Sequence, residues 1–216
     1  MNKLKINRFW QIVYPILLYY LIYNLLDIVF LMFLGDSVSK LFCLMLSALC
    51  TIPFIYKVYA TLPIVRAVKW FDKETIGKEL VYIGAIVAIG VLLNVIFTMT
   101  GLVEWSADYE RANATLYSGT ILVKILANAI VIPFLEELLY RGIICGQLNL
   151  WYGSLPAIVI SAICFGIMHF NMIQFLYAMI VGLALAWAYT RTKKLWVVFV
   201  AHGLTNLVVI LYTCFA

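Results

Sequence analysis

Pro133-Phe134-Leu135-Glu136-Glu137-Leu138-Leu139-Tyr140-Arg141-Gly142 sets two adjacent carboxylates and a guanidinium inside a long apolar run, near 118–148. Read as a helix, that run is long enough to cross a bilayer, which takes about 20 apolar residues. Ionisable groups at such a depth are costly and by default point to function. Glu137 and Arg141 are four residues apart with the acid first, the favourable order for a helical ion pair. Glu136 lies about 100° around the helix from Glu137, so the same pair does not easily satisfy it. A carboxylate left unpaired in low dielectric titrates nearer the range of a general acid or base than one in water. Pro133, one turn earlier, loosens the helix there. The plainer alternative is that both glutamates pair with Arg141 and bridge helices.

Composition extends the membrane reading to the whole chain. Of 216 residues, 66% are hydrophobic and 12% charged, with a mean hydropathy of +1.05. Soluble domains carry about 25% charged residues, so this chain has about half the charge needed to cover a wet surface. Apolar runs near 11–34, 38–64, 80–101, 118–148, 155–170, 172–190 and 195–215 predict an all-α, polytopic transmembrane bundle of about seven spans. The fifth and sixth runs are separated only by Phe170-Asn171-Met172, which suggests a shallow or tilted hairpin. The polar segments Arg66 to Glu79 and Val103 to Ser118 are too short to fold alone. The chain therefore reads as one integrated membrane domain, with N-terminal helices over 1–117 and a polar-residue core over 118–216. The basic start, Met1 to Arg8, precedes a run too long for a signal-peptide core, so it reads as a retained first span.

The net charge of +5 is spread between apolar runs, which fits flanks of membrane spans and not a nucleic-acid surface. Lys3, Lys5, Arg8, Arg66, Lys69, Lys73, Lys78, Arg141, Arg191, Lys193 and Lys194 fall on one side if the N-terminus is cytoplasmic, with Glu104 among the opposite loops. The expected location is a plasma membrane, multi-pass, with the C-terminus outside. The segment 66–79, with Trp70 and Phe71 beside charges, reads as an interfacial stretch or a simple linker. Asn113-Ala114-Thr115 matches a glycosylation tripeptide, a pattern that arises often by chance. The five cysteines are scattered without a CxxC and read as small buried hydrophobes.

Further polar residues sit in the same half of the chain. Both histidines lie there: His169, four residues after Phe165, and His202, four residues before Asn206. Each alone is compatible with hydrogen-bonded packing between helices. Their convergence with the carboxylate pair on spans four, five and seven is poorly explained by packing. The first three spans offer only Asp27 and Lys57, a helix contact and a snorkelling cation on the plain reading.

Glu136-Glu137-x-x-x-Arg141, Phe165-x-x-x-His169 and His202-x-x-x-Asn206 resemble, complete and in order, the signature of the CPBP family, the CAAX proteases and bacteriocin-processing enzymes also called Abi. The resemblance covers about residues 118–215. It implies intramembrane endopeptidase activity, with Glu136 as the base that activates water and His169 assisting it. It assigns His202 and Asn206 to oxyanion stabilisation, and Glu137 and Arg141, with Phe165, to support of the site. Family members are often named metalloproteases, and Glu136, His169 and His202 would be the ligands if zinc were bound. A metal-free mechanism is the preferred expectation, since no HExxH is present and no metal is required for a Glu beside a His. The expected partners are the lipid bilayer and a peptide or membrane-protein substrate, such as a pheromone, a bacteriocin leader or a membrane-anchored protein of a bacterium. Two other readings are a non-catalytic bacteriocin self-immunity or sensor-partner protein, and a small transporter, for which an internal repeat is lacking. An upright fifth span would set His169 about 20 Å from Pro156, deeper than Arg141 and His202 on the cytoplasmic side.

Overall fold

The computed structural model describes residues 7–63, 72–101 and 106–215, which are helical with no strand among them. Eight helices follow in order: α1 (Arg8–Leu34), α2 (Lys40–Ala60), α3 (Ile76–Met99), α4 (Ala107–Leu116), α5 (Ile121–Tyr152), α6 (Ser154–Ile167), α7 (Met172–Thr192) and α8 (Leu195–Phe215). The polytopic all-α bundle expected from the apolar runs is the fold. Polar caps fix several starts: Ser39 Oγ accepts from the Phe42 N–H (3.3 Å), Asn171 Oδ1 from that of Gln174 (2.8 Å), and Thr120 Oγ1 from that of Val123 (3.4 Å).

Five helices (α1, α2, α3, α7 and α8) are long and apolar enough to cross a membrane, and a sixth crossing arises if α4 and α5, bent by 112°, count as one. The fifth apolar run, expected to be short, is helical but shorter than a full crossing. Helix α6 has 14 residues, about 21 Å at 1.5 Å per residue, short of the ~30 Å hydrocarbon core. The polar stretch before Ser118 also holds a helix, α4, which the sequence reading left without structure.

Helix α5 is the central element, and this is why its sequence is apolar all round. Leu135, Leu138, Leu139, Ile143 and Ile144 are all essentially inaccessible. Outside, large apolar side chains such as Leu21, Met32, Phe33 and Leu92 lie open on the flanking helices, as lipid-facing surfaces require. Two widened π-helical stretches, Leu126–Val131 and Leu138–Cys145, bracket the carboxylates; such turns are frequent at functional sites. The helix is also tied to α1. Pro15 has no N–H to offer the Gln11 carbonyl, and Gln147 Nε2 donates to that oxygen instead (3.2 Å).

Two charges read as flanking residues behave otherwise. Arg141 is wholly buried in the core, so it is not a loop charge that marks a membrane side. Lys194 is nearly buried and donates to Glu79 Oε1 (2.6 Å) and Thr75 Oγ1 (3.1 Å), pinning the α7–α8 turn to the start of α3. Lys3, Lys5, Arg66, Lys69, Trp70, Phe71 and Glu104 lie outside the described residues; within 66–79, residues 72–75 form a turn before α3 begins.

Candidate active site

The second half of α5 presents its two glutamates to different surroundings. Glu137 and Arg141 keep none of their side-chain surface, whereas Glu136 keeps 17%. Arg141 Nη1 donates to Glu137 Oε1 at 2.7 Å. Its guanidinium also lies 4.4 Å from the centre of the Phe165 ring and reaches the Gly182 carbonyl (3.4 Å). A Cβ at position 182 would press on Arg141 and Phe165, at 3.2 Å each. The helical argument that divided the carboxylates therefore matches their placement: one is enclosed by a cation, the other faces open space.

That space is a cavity of about 470 Å³, lined among others by Glu136, Phe165, His169, His202 and Asn206. Ligand cavities are typically 300–1,000 Å³. Phe165, at the centre, touches both imidazoles edge-on, His169 at 5.1 Å and His202 at 5.8 Å between ring centres. All seven residues singled out from the sequence thus gather here, four on the cavity with Phe165, and Glu137 and Arg141 behind it.

Hydrogen bonds set the tautomers. His202 Nδ1 is 2.9 Å from Glu137 Oε1, so with that oxygen as acceptor Nδ1 carries the hydrogen, and Nε2 stands 3.8 Å from Glu136 Oε2. His169 Nδ1 is 2.9 Å from the Phe165 carbonyl, which only accepts, leaving Nε2 as the free nitrogen. His169 lies in the turn after α6, not within a long span, and Phe170 beside it has φ +56°. From Ser154, α6 carries His169 about as far as α5 carries Glu136 from Tyr152, some 22–24 Å at 1.5 Å per residue.

Asn206 shows a constraint that the sequence did not. In the π register the Ile132 N–H bonds the Ala127 carbonyl, so the next carbonyl, Asn128, would need an N–H at 133. Proline has none, and Asn206 Nδ2 supplies the missing donor at 2.8 Å. The Asn128 side chain in turn donates to the Leu116 carbonyl (2.8 Å), holding the end of α4 against the cavity. Asn128 was overlooked because its contribution is a main-chain oxygen; its spacing from Pro133 was the available signal. The first four helices also contribute walls, through Tyr19, Tyr23, Asn94 and Tyr109 among others, although the sequence suggested little for them.

Among the described residues no three His, Cys, Asp or Glu side chains are grouped as a metal-binding set. Glu136, His169 and His202 do not converge as three ligands, and no step below is routed through zinc.

Residues 118–208 match the family described as type II CAAX prenyl endopeptidase Rce1-like. Over 87 residues the chain is 37% identical to the protein named "Putative membrane peptidase YdiL" of Bacillus subtilis (strain 168), covering 40% of this chain and 36% of that one. Over residues 118–208 the chain is similar to that endopeptidase family. The matched segment runs from just before α5 to the middle of α8 and contains all three motifs. The chain aligns with about a third of the length of the curated relative it matches. No solved structure matches. The family is described as an endopeptidase and the relative is named a putative membrane peptidase, the class of protein that the three motifs resemble.

Proposed function

We propose that this protein is an intramembrane endopeptidase that hydrolyses a peptide bond of a membrane-associated protein or peptide. The observation that carries the reading is the shared cavity of Glu136, His169, His202 and Asn206, backed by the buried Glu137–Arg141 pair. Arg141 balances Glu137. The charge of Glu136 is then balanced by a protonated His202, whose Nδ1–H is held by Glu137 and whose Nε2–H faces Glu136.

Glu136 takes a proton from a water whose oxygen adds to the scissile carbonyl carbon, and the carbonyl π electrons move to oxygen. The negative charge thereby passes from carboxylate to oxyanion while His202 stays positive. The oxyanion accepts from His202 Nε2–H and from the second amide hydrogen of Asn206, the first being used by the Asn128 carbonyl. Donors aimed at such an oxygen are worth about 3–4 kcal/mol each. Collapse breaks the C–N bond, and the proton held by Glu136 passes to the leaving amine, with His169 Nε2 as relay. Glu137 thus acts as more than a brace, since by accepting from His202 Nδ1–H it orients the ring with Nε2–H toward Glu136 and the oxyanion. The protein is a multi-pass membrane protein; the lysines and arginines flanking its apolar runs favour an N-terminus on the cytoplasmic side, and the membrane proposed for it is a bacterial plasma membrane.

The test compares new N-termini in membranes from cells making the wild-type chain with those from cells making Glu136→Gln at equal abundance. Cleavage products present only with the wild type are the expected result. Identical sets of termini would refute the assignment.

A further inference from the structure

Helix α1 lies outside the matched segment, yet it lines the same cavity. Gln11, Pro15, Tyr19 and Tyr23 recur every four residues and so share one face. Gln147 binds the Gln11 carbonyl, Pro15 is buried, and Tyr19 and Tyr23 line the cavity with Glu136. Their rings stack at 5.4 Å and 17°. Both phenols are in electrostatic reach of the Glu136 carboxylate, and among the described residues no hydrogen bond engages the Tyr19 hydroxyl.

Beyond His202 Nε2–H and the second amide hydrogen of Asn206, the motif residues have no further donor for the oxyanion except His169 Nε2, which serves as the relay. His202 Nδ1 is committed to Glu137, His169 Nδ1 to the Phe165 carbonyl, and half of the Asn206 amide to Asn128. A phenol donates whatever the protonation of the histidines. We propose that Tyr19 is a further catalytic residue, its O–H donating to the carbonyl oxygen that becomes the oxyanion. Tyr23 holds the Tyr19 ring by stacking, and the α1–α5 clamp at Gln11 fixes the height of both. This inference rests on the endopeptidase reading and adds to it a residue from a helix beyond the matched family segment.

The test uses the full-length chain, purified in detergent, and a synthetic peptide spanning the cleavage site found by the comparison of termini. Tyr19→Phe removes one oxygen that no hydrogen bond engages among the described residues, so folding is preserved. It is expected to lower kcat about 100-fold with KM within about threefold. Tyr20→Phe, on the neighbouring face against Phe170, leaves both constants unchanged. A Tyr19→Phe loss in kcat below tenfold overturns the proposal, as does a loss carried by Tyr23→Phe in its place. If Glu136→Gln is inactive while Tyr19→Phe is fully active, only the Tyr19 assignment falls. If Glu136→Gln still cleaves, the endopeptidase mechanism falls and Tyr19 with it.

Discussion

Among the described residues Glu137 is the carboxylate bonded to Arg141, a guanidinium with no accessible surface, and replacing it by Ala removes that partner. What remains for that cation is the Gly182 carbonyl at 3.4 Å and the face of Phe165 at 4.4 Å, neither of which carries a negative charge. Breaking a buried pair by deleting one partner typically costs about 3–5 kcal/mol, because the other charge is left uncompensated. At 1.4 kcal/mol per tenfold, the folded-to-unfolded ratio should fall roughly 10²- to 10⁴-fold, a large part of a native stability of about 5–15 kcal/mol. Glu136→Ala, on the cavity wall, should cost far less. The assay is thermal unfolding of both variants in detergent, with membrane abundance measured alongside. The double variant Glu137→Leu/Arg141→Met, which removes both charges, should recover most of the stability. It should remain inactive, since His202 Nδ1 has lost its acceptor. Glu137→Ala melting like the wild type, or Glu136→Ala melting lower than Glu137→Ala, would refute the division of the two carboxylates.

A Cβ at Gly203 would collide with the Ala129 carbonyl, part of the backbone of α5. Gly203→Ala should therefore push α8 outward, weaken the Asn206–Asn128 bond and lower stability by about 1–3 kcal/mol, read as a lower melting temperature. Lys194→Met strands the buried Glu79 carboxylate, and the double variant with Glu79→Leu should restore the melting temperature that the single one loses. Cleavage by the purified protein should persist in a strong zinc chelator; reversible loss of activity, restored by zinc, would replace the metal-free mechanism.

Much of the candidate site was legible because the motifs are local. The four-residue spacings of Glu137–Arg141, Phe165–His169 and His202–Asn206 each place two groups on one helical face or turn, and helical geometry alone separates Glu136 from Glu137. Depth and crossing number were less legible, since an apolar run does not reveal where its helix stops. Helix α6 ends at Ile167, and the turn that follows carries His169. Arg141 looked like a flanking charge for the same reason: sequence does not show which cations already have a partner.

By itself the sequence determined the medium and the local geometry: too few charges for a wet surface, helices in lipid, and polar groups at fixed helical spacing. Tertiary structure alone decided which groups meet. Glu137 came to hold His202 from another helix, Asn206 to replace the N–H that Pro133 lacks, and Tyr19 to enter the cavity from the far end of the chain. Those contacts join residues 65, 78 and more than 100 positions apart, and such distances are closed by helix packing, which no local pattern encodes.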